Sequence, residues 1–263
     1  MQELRNILIC TDFSKDATNA LVYAINLAEQ INAHLYILHV KSGEKPMDDA
    51  QVEDHFEQVK HDFLFRRTLR ISYLIREGDT REEIKQAAQE KHIDLIVLGM
   101  KGASGQHEME FGSITAHLID DPVCSILSVP GDCRILTVKQ VAVANDNLTP
   151  PDKTELYVLS YLSEAFSPKI HIFNVKKQAV EVETATSSQD LFDDIFKYNL
   201  HTYYDIDKPN VIGSIRDFIN ENNIDLLVVF HRVSTQKDPF KRSVSKQLVF
   251  SLKLPLLITP IKN

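Results

Sequence analysis

Short apolar runs alternate with amphipathic segments along the first half of the chain. The runs are continuously apolar and rich in branched residues, as expected of strands buried on both faces of a sheet. The predicted strands are 6–12, 34–40, 70–75, 95–98 and 125–129, and the predicted helices are 17–32, 48–67, 81–92 and 113–120. Strands that alternate with helices in this way predict a parallel, five-stranded, doubly wound sheet of the Rossmann-like α/β class, with helices on both faces.

The second half of the chain repeats the first. The segment KQVAVAND (139–146) matches RNILICTD (5–12), and KIHIFNVKK (169–177) matches HLYILHVKS (34–42). The clearest match sets 84–98 over 215–229, where six of fifteen aligned residues are identical without a gap. The closing strands SILSVP and PLLITP also agree. Four matched segments in one order indicate a duplication, so we predict two domains, 1–132 and 133–263, with the boundary at Gly131-Asp132.

Half of the eight glycines in the chain lie between the fourth predicted strand and the helix that follows it. These four residues are Gly99, Gly102, Gly105 and Gly112. Glycine is needed where the backbone takes a positive φ or where another group must approach the main chain closely. The free N–H groups of a helix N-terminus and the helix dipole both favour an anion. A strand, a glycine-rich loop and a helix start in succession therefore predict a phosphate-binding loop.

The duplicated half offers an internal comparison for this loop. Continuing the ungapped register sets Gly99 against Phe230, Gly102 against Val233 and Gly112 against Ser243. Valine does not readily adopt a positive φ, and its Cβ keeps a ligand away from the backbone. We therefore expect the second domain to have kept the scaffold and lost the phosphate loop.

Composition narrows the class of partner. Hydrophobic residues make up 43% of the chain and charged residues 25%, and the formal net charge is −8. An acidic chain is a poor general binder of nucleic acid or of anionic membranes. The longest apolar runs fall short of a membrane span, and the opening residues do not resemble a signal peptide. The three cysteines show no CxxC spacing, which favours reduced, buried thiols and a cytoplasmic protein.

The opening ILICTDFS, the downstream ALVYAINLA and the spacing Gly99-x2-Gly102-x9-Gly112-Ser113 together resemble the universal stress protein family in a tandem form. The resemblance implies that ATP, with or without Mg²⁺, lies over the carboxyl ends of strands one and four. Asp12 would lie beside the nucleotide, and the backbone of Val40 would meet adenine. The residues implied to hold ribose and phosphates, or to lie beside those that do, are Gly99, Met100, Gly102, Gly112, Ser113 and Ile114. Glu108 and Glu110 in the spacer depart from what a triphosphate would favour, and Lys101 offers partial compensation.

Catalytic signatures are missing from the sequence. There is no Walker GxxxxGK(S/T) motif, no GxSxG motif, and no HExxH or paired-ligand spacing for a metal. We therefore expect an ATP-binding regulatory protein for the stress response that hydrolyses ATP slowly if at all. Two alternatives stay open: a slow ATPase or phosphotransferase, and a ligand-free interaction scaffold in which the glycines only turn the chain and Asp12 is a turn or cap residue. The resemblance also implies that the domains pair through the edge strands 125–129 and 255–259 as an intramolecular pseudo-dimer, with a homodimer as a further step.

Overall fold

The structure is a computed structural model of the 263-residue chain. It describes residues 3–43, 45–65, 67–100, 111–133, 137–145, 151–175, 185–206, 210–233, 247–248 and 252–261. The chain divides into two compact units, residues 4–136 and residues 137–263. The first unit carries the glycine loop of the sequence, and the second carries the repeat.

The first unit is built around a sheet of five parallel strands. Its elements are β1 (Asn6–Cys10), α1 (Lys15–Ile31), β2 (His34–Lys41), α2 (Asp49–Val59), a π-helical turn (Lys60–Leu64), β3 (Ile71–Glu77), α3 (Thr80–Glu90), β4 (Leu95–Gly99), α4 (Phe111–Asp120) and β5 (Ser125–Val129). The strand order is β3-β2-β1-β4-β5, and each neighbouring pair is parallel. Right-handed crossovers place α1 and α2 on one face and α3 and α4 on the other.

The second unit repeats this arrangement. Its elements are β6 (Gln140–Asn145), α5 (Tyr157–Phe166), β7 (Lys169–Val175), α6 (Ala185–Ile195), β8 (His201–Ile206), α7 (Val211–Glu221), β9 (Leu226–Arg232) and β10 (Leu256–Ile261). The order β8-β7-β6-β9-β10 is that of the first unit under the repeat, and the pairs are again parallel. The predicted α/β class, with a doubly wound parallel sheet in each half, is confirmed.

The ends of the helices explain why the chain turns where it does. Ser14 caps α1 by accepting a hydrogen bond from the Ala17 N–H, and Asp48 begins a capping box on α2. Left-handed residues then end equivalent helices at equivalent places, with φ of 54° at Asn32 after α1 and 47° at Ser167 after α5. The duplication is therefore visible in backbone conformation as well as in strand order.

Two predicted elements end earlier than the sequence suggested. The apolar run was expected to continue as a strand to Asp12, but β1 ends at Cys10. Asp12 instead forms a turn, with its Oδ1 accepting a hydrogen bond from the Ser14 N–H at 3.0 Å, as short polar side chains often do after a strand. The helix expected over 48–67 ends at Val59 and passes into the π-helical turn, which ends at Leu64.

An aspartate that is identical in the two halves joins the fourth strand of each unit to the first. Asp94, just before β4, accepts hydrogen bonds through Oδ2 from the N–H groups of Arg5 and Asn6 at 2.8 and 2.9 Å. Asp225, just before β9, accepts in the same way from Lys139 and Gln140 at 2.8 and 2.9 Å. The carboxylate satisfies two backbone donors at the entry of the central strand, which gives a structural reason for the repeated Asp-Leu pair.

We expect Asp94→Ala to destabilise the first unit by about 1–3 kcal/mol, because it leaves the partly buried Asn6 N–H and the exposed Arg5 N–H without their acceptor. Asp94→Asn keeps an acceptor oxygen and should cost less. Urea unfolding followed by far-ultraviolet circular dichroism measures both variants. Asp225→Ala, the matched change in the second unit, should show a loss of similar size, and stability equal to that of the wild type in both alanine variants would contradict the assignment.

Candidate functional site

The carboxyl ends of β1 and β4 lie side by side in the sheet of the first unit, because β1 pairs with β4 on one side and with β2 on the other. The chain reverses its direction of progress through the sheet at this point. In open α/β sheets, ligands bind in the crevice outside the carboxyl ends of the strands at such a switch point. Four of the predicted site residues, Asp12, Val40, Gly99 and Met100, lie at or just after strand ends on this edge. We refer to this edge of the first unit as the corner.

Val40 presents its backbone to the corner. In a parallel ladder the N–H and C=O of one residue face the same neighbouring strand, and successive residues alternate. Leu38 faces β1, because its C=O accepts a hydrogen bond from the Thr11 N–H at 2.9 Å, and the Lys41 C=O faces β3, where it accepts from Gly78 at 3.2 Å. Val40 therefore faces the β1 side. Since the pairing of β1 with β2 ends at Cys10 and Leu38, the Val40 donor and acceptor point past the end of β1.

The turn between β1 and α1 forms a second side of the corner. The Phe13 N–H donates to the Thr11 hydroxyl and the Ser14 N–H donates to the Asp12 carboxylate, both at 3.0 Å. Ser14 is the residue that caps α1, with its hydroxyl accepting from the Ala17 N–H at 3.2 Å. Asp12 thus serves the turn through one oxygen and sits beside the corner, while the cap that the sequence offered it as one alternative belongs to Ser14.

Gly99 is required by packing as well as by its place in the predicted loop. A Cβ built on Gly99 would lie 3.2 Å from the Asp16 carbonyl oxygen and 3.4 Å from the Ala17 Cα. The contact with the carbonyl oxygen would be tighter than most Cβ contacts in proteins, so the close approach of the first turn of α1 to the end of β4 favours a residue without a side chain at position 99. The sequence attributed this glycine to ligand contact, and the structure adds a role in the fold.

Met100 is tied to the neighbouring strand. Its N–H donates to the Val129 C=O at 3.0 Å, so this N–H is already engaged within the sheet. The side chain and carbonyl are the groups that Met100 has left for a ligand. The sequence alone did not show whether Met100 would contact a ligand through its side chain or through its backbone.

The helix after the loop begins two residues earlier than predicted. α4 starts at Phe111, which places Gly112 and Ser113 in its first turn and the half-buried Ile114 directly after them. The first four N–H groups of a helix have no partner within it, and they are the donors that an anion would use. Gly102 lies in the segment 101–110, outside the described residues.

The strand of the second unit that corresponds to β4 ends at a different place. Pairing in the first unit ends at Gly99 and Val129. In the second unit it continues past the equivalent residue, Phe230, to Arg232 opposite Ile261, and the Val233 N–H then donates to the Ile261 C=O at 3.1 Å. The residue aligned with Gly102 therefore still bonds to the sheet.

An aromatic side chain also takes the place of the first glycine in the second unit. Phe230, aligned with Gly99, stacks on Phe192 of α6 with ring centroids 6.0 Å apart. At the position where β4 ends in the first unit, the second unit has a phenyl ring. Its strand also continues for two more paired residues.

An aromatic group beside the corner was missed by the sequence analysis. Phe13 stacks on His39 with ring centroids 4.8 Å apart and packs against His55 in a tilted arrangement with centroids 4.5 Å apart. His39 is buried, and its Nδ1 donates to the Thr11 C=O at 2.9 Å. One signal was available, since His39 is a polar residue inside an otherwise apolar strand. No local pattern pointed to Phe13 or His55.

The thiol nearest the corner is not set up as a nucleophile. Burial, with a smaller contribution from Cys124, raises the pKa of the Cys10 thiol well above its usual range. Burial, followed by the charge of Asp94, also raises the pKa of Cys124 to about 12. Thiols with raised pKa values stay protonated and unreactive at neutral pH. Within the described ranges, no group of three or more His, Cys, Asp or Glu side chains could hold a metal ion, and none of the helices there is long and apolar enough to span a membrane.

Comparison with known proteins agrees with the fold of the first unit. Residues 3–130 match the universal stress protein family. The first unit is therefore similar to members of this family. The universal stress protein YxiE of Bacillus subtilis (strain 168) is 28% identical over 145 residues, covering 47% of this chain and 97% of the relative. A universal stress protein of Methanocaldococcus jannaschii is 26% identical over 141 residues, covering 48% and 81%.

A solved structure extends the similarity in fold to both units of the chain. The crystal structure of a universal stress protein from Archaeoglobus fulgidus DSM 4304 covers 98% of this chain and 99% of its own, with a TM-score of 0.73. The sequence identity is 15%, so the match shows a shared fold and carries no information about a ligand.

The packing role of Gly99 leads to a matched pair of substitutions. Gly99→Ala pushes a Cβ against the backbone of Asp16, whereas Gly131→Ala pushes one against the Asp16 side chain, which can rotate away. We expect Gly99→Ala to cost about 1–3 kcal/mol by overpacking, and Gly131→Ala to stay within about 0.5 kcal/mol. Urea unfolding measures both variants. Equal losses, or a larger loss for Gly131→Ala, would contradict the close approach of α1 to β4.

Proposed function

We propose that the first unit binds an adenine nucleotide, ATP, and that the chain is a nucleotide-binding regulatory protein of the stress response. The observation that carries the proposal is the orientation of Val40, whose N–H and C=O point together past the end of β1. The corner thereby offers a paired donor and acceptor at one end and, at the other, the helix start at Phe111. A nucleotide base can use the paired donor and acceptor of Val40, and a phosphate chain can use the start of the helix.

The paired groups of Val40 suit adenine. An adenine edge carries a ring nitrogen that accepts a hydrogen bond beside an amino group that donates one, whereas guanine has a carbonyl oxygen in place of the amino group. A backbone N–H and C=O on one side can satisfy the adenine pair. With guanine, the Val40 C=O would face another acceptor.

The phosphates would lie at the start of α4. The backbone N–H groups of Gly112 and Ser113, in the first turn of the helix, have no partner within the helix, and the helix dipole favours negative charge there. The resemblance of the spacing Gly99-x2-Gly102-x9-Gly112-Ser113 to the family pattern supports the same placement. A Mg²⁺ ion bound with ATP would be held mainly by phosphate oxygens and water, with Asp12 as the carboxylate at the end of β1.

In this proposal the second unit does not hold nucleotide in the equivalent place. Support comes from the continued pairing of β9 with β10 and from Phe230, which supplies a side chain where the first unit has Gly99. We propose that the second unit instead pairs with the first, so that one chain forms a pseudo-dimer. We also propose that two chains can form a homodimer and that the protein lies in the cytoplasm. Fast phosphoryl transfer needs positioned cations and a positioned nucleophile, so turnover of ATP would be slow if it occurs.

The orientation of Val40 predicts a preference for the base. We expect ATP to bind about fivefold to a hundredfold more tightly than GTP, because one good pair of hydrogen bonds discriminates by roughly 1–3 kcal/mol. Val40→Ala should keep this preference, since only the backbone is used. Isothermal titration calorimetry with each nucleotide measures both effects. Equal affinities for ATP and GTP would count against the role of Val40.

The proposed phosphate loop predicts that ATP binding is lost when Gly102 is replaced by the residue aligned with it in the second unit. Gly102→Val introduces the valine found at the aligned position 233, and we expect it to weaken ATP binding by about a hundredfold or more while the melting temperature stays near that of the wild type. A Cβ there would separate the phosphates from the main chain. Calorimetry and a thermal melt of the same sample test this, with Val233→Ala as the matched control that should leave binding unchanged. Unaltered affinity in Gly102→Val would refute the phosphate loop.

A further inference from the structure

Phe13 has an unusual backbone conformation for its residue type. Its φ is 59°, in the left-handed region that bulky residues rarely adopt. Among the described residues, the other non-glycine residues with positive φ are Asn32, His92, Ser167 and Asn223, which lie at the carboxyl ends of helices. Phe13 instead lies in the turn from β1 to α1. A conformation of this kind persists only where the surroundings enforce it, and such residues cluster at functional sites.

Rings from two different elements surround the Phe13 side chain. The Phe13 ring stacks on His39 with 25° between ring planes and packs against His55 in a tilted arrangement at 33°, and it meets Phe56 edge-on at 5.5 Å. His39 belongs to β2, while His55 and Phe56 belong to α2. Both histidines are themselves oriented, because the Nδ1 of His39 donates to the Thr11 C=O at 2.9 Å and that of His55 donates to the Gln51 C=O at 2.7 Å. The ring is therefore held between a strand and a helix.

The residues on either side of Phe13 are those that face the corner. Asp12 precedes it, and Ser14, which caps α1, follows it. A change in the Phe13 dihedral angles would rotate the Asp12 carboxylate and the start of α1 together, because the turn is closed by two short hydrogen bonds within residues 11–14. The aromatic stack thus sets the position of groups that lie beside the edge to which Val40 points.

The second unit shows that α6 can obtain an aromatic partner in another way. Phe56 and Phe192 are both the eighth residue of an 11-residue helix, α2 and α6 respectively. Phe56 packs against Phe13 from the turn, whereas Phe192 packs against Phe230 from the strand aligned with β4. Packing of this helix on the sheet does not by itself require a ring from the turn. In the first unit the ring comes from the turn, and the position aligned with Phe230 is a glycine that packs against the backbone of α1.

We propose that Phe13 is a positioning residue for the nucleotide: its stack on His39 and His55 holds the Asp12–Ser14 turn in the conformation that binds ATP at the corner. This inference rests on the proposed nucleotide site and assigns to that site a part of the chain that does not itself face the phosphates. His55, on α2, acts through Phe13 and has no contact role of its own with the ligand.

The test compares ATP affinity with stability in three variants of the full chain. Phe13→Gly tolerates the positive φ but removes the ring, Phe13→Tyr keeps the ring, and His55→Ala removes one stacking partner without changing the turn. We expect Phe13→Gly to weaken ATP binding about tenfold or more, His55→Ala to weaken it severalfold, and Phe13→Tyr to bind as the wild type does. Gln58→Ala, an exposed change on the same helix, is the control and should leave affinity unchanged. Calorimetry with MgATP and a thermal melt are run on each protein.

The outcomes separate the inference from the function on which it rests. If the wild type does not bind ATP, the proposed function fails. If the wild type binds and folded Phe13→Gly binds equally well, the positioning role is overturned while the function stands. If Phe13→Gly does not fold, His55→Ala decides: unchanged affinity in that variant overturns the role, and weakened affinity at an unchanged melting temperature supports it.

Discussion

The unequal length of two neighbouring parallel strands is the constraint on which the first unit depends. β1 ends at Cys10, but β2 beside it continues to Lys41. Because backbone groups alternate in direction along a strand, the extra residues of β2 include one, Val40, whose donor and acceptor face past the end of β1. A sheet whose strands ended together would offer no such edge.

The constraint extends to the turn that leaves β1. The chain must pass from Cys10 to the cap of α1 at Ser14 within a few residues, and it does so through a left-handed Phe13 held by rings from β2 and α2. The first turn of α1 then reaches the end of β4 closely enough that a glycine is required there. Strand length, turn conformation and helix packing are consequently one connected arrangement, and each part limits the others.

The two units illustrate how one scaffold can end in different ways. Both have the same strand order, and both use an aspartate before the fourth strand to hold the entry of the first. They diverge at the carboxyl end, where β4 stops at Gly99 and β9 continues through Phe230 to Arg232. Extending a strand satisfies more backbone groups within the sheet and adds side chains, whereas stopping at a glycine lets the first turn of α1 pack against the end of the strand.

The alternation of apolar runs and the internal repeat were enough to predict the class of fold. A strand buried on both faces and a helix buried on one face each give a characteristic local pattern of apolar residues. The resemblance to the family, rather than these patterns, implied that Asp12, Val40 and Gly99 would lie around one nucleotide, in agreement with the rule that ligands bind at the carboxyl ends of parallel strands. The tertiary structure alone decided the rest. Engagement of the Met100 N–H by Val129 depends on the register between strands, the contact of Gly99 with α1 depends on how closely a helix approaches the sheet, and the stack of Phe13 on His55 joins residues from separate elements. These contacts are set by distances between elements, and a one-dimensional pattern of burial does not contain those distances.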